Sequence, residues 1–427
     1  MRMPFLEKPT REKGLPRSLL SNRFVADNIV MLLAAGATNL FAYGYQLAMG
    51  IMLSPEDYGK IVSLVSLFVI VGILLQTVTT VVTKTTTTLV ADSRMDHVGS
   101  FYRRSLKFNF LLGIGLFVIL IAASAFITRL LNLGNVLYCV ILFSSFLFAF
   151  PVASNWGILQ GLQRFVSLGS NQALFKFLQL LIAVLLVAFG MGVVGGITAI
   201  PLSYLLLLVV SLFLLKSLPT SSHQQAPLTG IGRYTLQTLL AFTAITVMTN
   251  VDVIIAKHFL TPVEAGNYSA VSVLGRIAFY ASAGISAVLF PKAAESSTRG
   301  ENSKRHYWLS LILTVLIVAV ICLVYWLFPG TVMHFLFSNK YQNAAPYLLK
   351  YGVGMSLLAV TYLTVIYGLS IGKMRIAYLI LAVMGMQLGL LFAFHQSIAD
   401  FVNVMLISGG LAAAIILPSI WVLRNTP

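Results

Sequence analysis

Apolar residues run along this chain in blocks of about twenty or more, cut by short polar stretches that collect almost all of the charge. A helix rising about 1.5 Å per residue needs a block of that length to cross the roughly 30 Å hydrocarbon core of a bilayer. Twelve such blocks can be placed, at 24–50, 59–83, 106–128, 136–159, 172–190, 196–215, 233–257, 266–290, 307–328, 345–369, 377–394 and 400–423. The longest connections, 84–105, 216–232, 291–306 and 329–344, are too short to fold as extra domains. The pattern predicts an all-α polytopic membrane protein of twelve transmembrane helices, with no soluble catalytic domain.

The blocks repeat. Leu53-Ser-Pro-Glu-Asp-Tyr-Gly59 returns as Leu260-Thr-Pro-Val-Glu-Ala-Gly266 at a shift of 207 residues, each copy closing one apolar block and opening the next. Gly157-Ile-Leu-Gln-Gly161 pairs with Gly368-Leu-Ser-Ile-Gly372 at 211, and Lys84 with Lys292 at 208. Six spans separate the copies, so the halves keep one orientation: two six-helix lobes related by a pseudo-two-fold along the membrane normal. The expected organisation is a basic N-terminus 1–23, a lobe 24–215, a linker 216–232, a lobe 233–423 and a short C-terminus 424–427. Locally the Pro-acidic-Gly segment reads as a structural corner: Ser54 or Thr261 caps a helix, Pro suits its first turn, and Gly59 or Gly266 relieves crowding. The Gly-x-x-x-Gly pairs read as close helix packing.

Composition agrees with the pattern and adds sidedness. With 58% hydrophobic and 9% charged residues and a mean hydropathy of +0.91, the chain requires lipid as solvent. The net charge of +16 would fit a nucleic-acid binder, but about 21 of the 28 Lys and Arg fall on one side when alternate connections are assigned to alternate faces. Lys60, Arg129, Lys257, Lys340 and Lys350 fall on the other. The charge therefore reads as membrane topology with both termini cytoplasmic, and excludes nucleic acid as the partner. Cys139 and Cys322 lie inside spans and read as packing residues. The first apolar block is too long for a signal-peptide core and stays as the first span.

These residues resemble a known family, the lipid-linked oligosaccharide flippases of the multidrug/oligosaccharidyl-lipid/polysaccharide exporter superfamily. The resemblance is carried by Gln46 with Leu53–Gly59, Leu159-Gln-Gly161 with Arg164-Phe165, Asn250-Val-Asp252 with Glu264-Ala-Gly266-Asn-Tyr268, and Leu289-Phe-Pro291. It implies two lobes forming a V around a cavity that opens alternately to either side, and a polyprenyl-diphosphate-linked glycan as substrate. Lipid II flippases of the superfamily usually carry two further C-terminal helices, so the resemblance points to an O-antigen, capsule, exopolysaccharide or teichuronic-type unit. Implied partners are the bilayer of a prokaryotic cytoplasmic membrane and polysaccharide assembly enzymes. No cofactor or metal is expected; a coupling H⁺ or Na⁺ stays open.

Ionisable residues within spans are costly, by about 2.5–3.5 kcal/mol each, and are functional candidates for that reason. Arg276 lies ten residues beyond Gly266, about 15 Å deep, where a guanidinium would grip a diphosphate bidentately. Asp252 is either its charge partner or an ion-coupling group, and Asp27, early in the first span, either a coupling group or a helix N-terminal charge. Lys176, about one turn inside its span, reaches either the cavity or, by snorkelling, the cytoplasmic surface. Asn39 and Gln179 stand with Lys176 and Arg276 as substrate-binding candidates among neutral polar residues (Asn28, Gln46, Gln76, Asn155, Asn250) that fit sugar contacts or interhelical bonds equally. Trp156, Trp308, Trp326 and Trp421 read as interfacial anchors. Two other functions remain open. A drug or organic-cation antiporter of the superfamily calls for cavity carboxylates, and a membrane polymerase or ligase calls for a large exterior loop bearing acid and base groups. No catalytic residue is assigned.

Overall fold

The computed structural model describes residues 17–92, 94–216, 218, 233–298 and 304–422. Of the expected linker only Lys216 and Leu218 fall among them, as does no part of the C-terminus beyond Val422. Among the described residues every regular element is helical: α1 (Arg17–Met52), α2 (Pro55–Val71), α3 (Ile73–Ala91), α4 (Met95–Leu130), α5 (Leu137–Gly161), α6 (Phe165–Leu186), α7 (Gly192–Leu215), α8 (Arg233–Met248), α9 (Val251–Phe259), α10 (Pro262–Thr298), α11 (Lys304–Leu327), α12 (Pro329–Phe337), α13 (Leu348–Ser370), α14 (Ile376–Ala393) and α15 (Ile398–Val422). With α2–α3 and α8–α9 each taken as one bent span, and α12 set apart, they supply the twelve expected crossings. Gly72 bends the second span, and Gly190 and Gly192, at φ 85° and 50°, reverse the chain between α6 and α7 in a conformation that favours glycine.

Helices α1–α7 pack against one another as one lobe and α8–α15 as the other. The repeated segment caps a helix in both copies. Ser54 accepts a hydrogen bond from the Asp57 amide at 3.2 Å, and Thr261 and Glu264 form a reciprocal capping box. Its glycines do more than ease a corner, because the two copies touch each other across the lobes. A Cβ on Gly266 would stand 1.9 Å from the Pro55 carbonyl oxygen, and one on Gly59 would stand 3.1 Å from the Gly266 nitrogen. The helices α2 and α10 thus cross backbone to backbone at the pseudo-two-fold. Gly157 and Gly161 pack against Val82 and Thr86 of α3 as expected, whereas in the second copy only Gly368 packs and Gly372 makes a left-handed turn.

Further contacts close the lobes on the same side, the side that carries few basic residues. Lys340 donates to the carbonyls of Ile51 at 2.6 Å and Leu53 at 3.1 Å, and the Tyr341 hydroxyl donates to Gly50 at 3.3 Å. These carbonyls belong to the last turn of α1 and the residue after it, which the helix itself leaves unpaired. His258 Nδ1 meets the Leu130 carbonyl at 2.6 Å, again at a helix end, and Asn132 donates to His258 at 3.2 Å. Phe337 seats on Gly50, and Tyr58 packs against Phe337 and Tyr341. Helix α12 and the 3-10 helix Asn339–Tyr347, read from sequence as a polar connection, form this clasp. The first lobe has only residues 131–136 at the corresponding place.

Candidate functional site

The described cavity, of about 490 Å³, lies wholly within the first lobe, walled by α1, α2, α3, α5, α6 and α7. Phe68, Trp156, Phe175 and Tyr204 form its aromatic side, and Gln76, Gln172, Gln179 and Lys176 supply polar groups. The aromatics hold one another, Phe175 with Tyr204 at 4.2 Å and Trp156 with Phe175 at 6.3 Å between ring centres. Trp156 is further fixed by donating to Asn171 Oδ1 at 2.7 Å. It is a cavity residue rather than the interfacial anchor its place near a span end implied. Trp308 and Trp326 are exposed near the two ends of α11.

Lys176 is deeper than sequence placed it. Helix α6 starts at Phe165, not 172, so Lys176 stands three turns from its start. It donates to Gln179 Oε1 at 2.9 Å and lies 4.8 Å from the centre of the Phe175 ring. Both partners are neutral, and among the described residues no carboxylate lies within ion-pairing distance. A cation so placed has the chemistry to hold an anion.

Arg276 occupies the opposite situation. Its Nη2 pairs with Asp252 Oδ1 at 3.1 Å, while Nη1 bonds Asn250 Oδ1 at 3.2 Å and reaches Ser66 of the first lobe at 3.5 Å. The other oxygen of Asp252 accepts from Tyr268 at 2.8 Å and Tyr351 at 2.7 Å. Asp252 is fully buried and Arg276 is 6% exposed. The charges neutralise each other where the second lobe packs against α2 of the first, and neither lines the described cavity. Structure thus joins Lys176 with Gln179 and Arg276 with Asp252, as two separate sites. Asn39 sits on an exposed face of α1 next to Thr38, which does line the cavity. The side chain of Asp27 lies outside the described residues, as do those of Asn28 and Trp421. Asn155 bonds Ser211 at 2.6 Å and serves packing.

Residues 24–297, more than half of the chain, match the family model described as polysaccharide biosynthesis protein. No curated protein matches the chain in sequence. Among solved structures, the chain is similar to an inward-facing multidrug resistance MATE family transporter of the MOP superfamily, with TM-score 0.71, 13% identity, and 92% of this chain and 98% of that one covered. An outward-facing MATE transporter superposes with TM-score 0.65 at 16% identity, covering 92% and 94%. A MOP superfamily transporter from Pyrococcus furiosus, described as having a binding pocket of reverse polarity that suggests a different function, gives 0.63 at 15%, covering 93% and 95%. At these identities the likeness is one of fold: twelve helices in two lobes.

Proposed function

Since the chain belongs to the polysaccharide biosynthesis protein family, we propose that it is a flippase, carrying a polyprenyl-diphosphate-linked oligosaccharide across a prokaryotic cytoplasmic membrane by alternating access of its two lobes. The observation that carries this reading is Lys176, a cation with no carboxylate partner among the described residues, in a cavity of amides and aromatic rings. Aromatic faces and side-chain amides suit sugars, whose hydroxyls both donate and accept, and the ammonium suits a diphosphate or an acidic sugar. The polyprenyl tail stays in lipid. A carrier of organic cations would need the reverse charge in its cavity. The carboxylate nearest to that requirement, Asp252, is bound to Arg276 and two tyrosines, and we read it as a charge partner rather than a coupling site.

By the positive-inside rule the clasped side is exterior and both termini are cytoplasmic, so this is an inward-open form, ready to receive a glycan lipid from assembly enzymes at the inner leaflet. The test is transport by purified protein in liposomes, with a polyprenyl-diphosphate oligosaccharide and an organic cation offered separately. Wild type should move the glycan lipid only, and Lys176→Gln should lose at least tenfold in rate at low substrate, as expected for removing a charge-assisted bond. Transport of the cation without the glycan lipid would replace this reading by that of a drug exporter.

A further inference from the structure

Helix α3 carries eight threonines in nineteen residues, an odd choice for a membrane span because β-branched residues favour helices weakly. Each of the eight hydroxyls, from Thr77 to Thr88, donates to the carbonyl four residues earlier at 2.7–3.1 Å. That satisfies the proton of every hydroxyl and leaves the oxygen free to accept. The threonines then divide by face. Thr79 and Thr83 also reach α5 carbonyls, at Ala153 and Gly157, and Thr86 is buried against Gly161. On the neighbouring face Gln76, Thr80, Lys84 and Thr87 follow one another at helical spacing, and all are exposed. Lipid is a poor environment for an amide and an ammonium, so this face looks into the space between the lobes, where α3 also touches α8.

Its inner end is the cavity itself, since Gln76 and Thr79 line the cavity wall. From Gln76 to Thr87 is about 16 Å along the helix, running toward the basic side. Gln160 of α5 borders the strip, accepting from Thr83 at 3.2 Å. The exposed strip is therefore mixed: the Thr80 and Thr87 oxygens accept, the Gln76 amide both donates and accepts, and Lys84 donates near the open end.

We infer that the exposed face of α3 (Gln76, Thr80, Lys84, Thr87) is a second glycan-binding subsite, continuous with the cavity, that takes the sugars of a chain too long for the cavity alone. It suits polyhydroxylated residues, because a sugar hydroxyl can donate to the threonine oxygens and accept from Gln76 and Lys84. This rests on the flippase reading and specifies where a long head group lies.

The test is Thr80→Val combined with Thr87→Val, which keeps side-chain shape and removes the two exposed hydroxyls. Thr86→Val, on the packed face, is the control for hydroxyl loss in general. Each protein is reconstituted in liposomes and offered a polyprenyl-diphosphate monosaccharide or a polyprenyl-diphosphate tetrasaccharide of neutral hexoses, both at low concentration. The double variant should transport the tetrasaccharide about tenfold more slowly than wild type, the effect of two neutral hydrogen bonds, and the monosaccharide at the wild-type rate. Thr86→Val should not separate the two probes. An equal loss on both probes, or no loss on either, overturns the subsite while leaving the flippase reading intact. If wild type moves neither probe, the flippase reading itself fails and the subsite with it.

Discussion

Replacing Gly266 by Ala tests whether the contact between the repeated corners holds the lobes closed. The added Cβ would stand 1.9 Å from the Pro55 oxygen, 2.4 Å from its carbonyl carbon and 2.9 Å from its Cα. All three are backbone atoms of the other lobe, so no side-chain rotation relieves the clash. Reaching an ordinary C···O contact of about 3.3 Å requires the corners to part by roughly 1.4 Å. Overpacking of this kind costs about 1–3 kcal/mol, and here the cost falls on the closed form alone, which shifts the opening equilibrium about 5- to 150-fold. Ser63 lies on the same face of α2 as Gly59, fully buried. With Cys139 and Cys322 replaced by Ser, Ser63→Cys gives a thiol that a membrane-impermeant maleimide reaches from the exterior only when the lobes separate. Its labelling rate should rise by that factor in Gly266→Ala, less in Gly59→Ala, whose nearest backbone atom is 3.1 Å away, and not in Gly284→Ala, which meets nothing within 4 Å. A folded Gly266→Ala protein labelled no faster than wild type would refute the assignment of this contact as the exterior gate.

Two further outcomes follow from the site geometry. Arg276→Met alone should destabilise the protein by about 3–5 kcal/mol, because it strands a buried carboxylate, while Arg276→Met with Asp252→Leu should recover much of that loss; thermal unfolding in detergent reads both, and a single variant as stable as wild type would exclude a structural ion pair. Lys340→Met removes the donor to Ile51 and Leu53, and Ser63→Cys labelling from the exterior should rise about fivefold, less than for Gly266→Ala because Lys340 is exposed and water can replace it.

Apolar blocks revealed the spans, and the heptapeptide repeat revealed the lobes, because lipid-facing surface and helix caps are written locally. Cap residues at Ser54 and Thr261 needed no tertiary information, whereas the sequence left Asp252 open as either charge partner of Arg276 or ion-coupling group, and the structure pairs the two. The cavity was hidden by the same logic that revealed the spans. Asn171 is polar because it holds Trp156 of the cavity wall, and its polarity, with that of Ser167 and Ser170, made the first turns of α6 look like a connection. That error carried Lys176 from three turns deep to one. The clasp was missed for another reason: α12 spans nine residues, too few for a helical period to stand out, and its partners lie nearly 300 positions away.

The scaffold keeps the pseudo-two-fold while its contents break it. Gly59 and Gly266 meet as equivalents at the axis, yet at the 207-residue shift Arg276 corresponds to Val69, a cavity-lining side chain. At the 211-residue shift Lys176 corresponds to Gln387, which is buried and donates to the Met248 carbonyl at 2.9 Å. The first lobe therefore holds a cation that among the described residues pairs with no carboxylate, where the second holds a neutralised network. Under the proposed mechanism this division assigns the work. The second lobe, cross-braced by Asp252, Arg276, Tyr268 and Tyr351, moves as a rigid body, and the first carries the glycan diphosphate. Binding of an anion beside Lys176 then needs no rearrangement of the buried pair, so the affinity for substrate and the stability of the second lobe can be changed independently of each other.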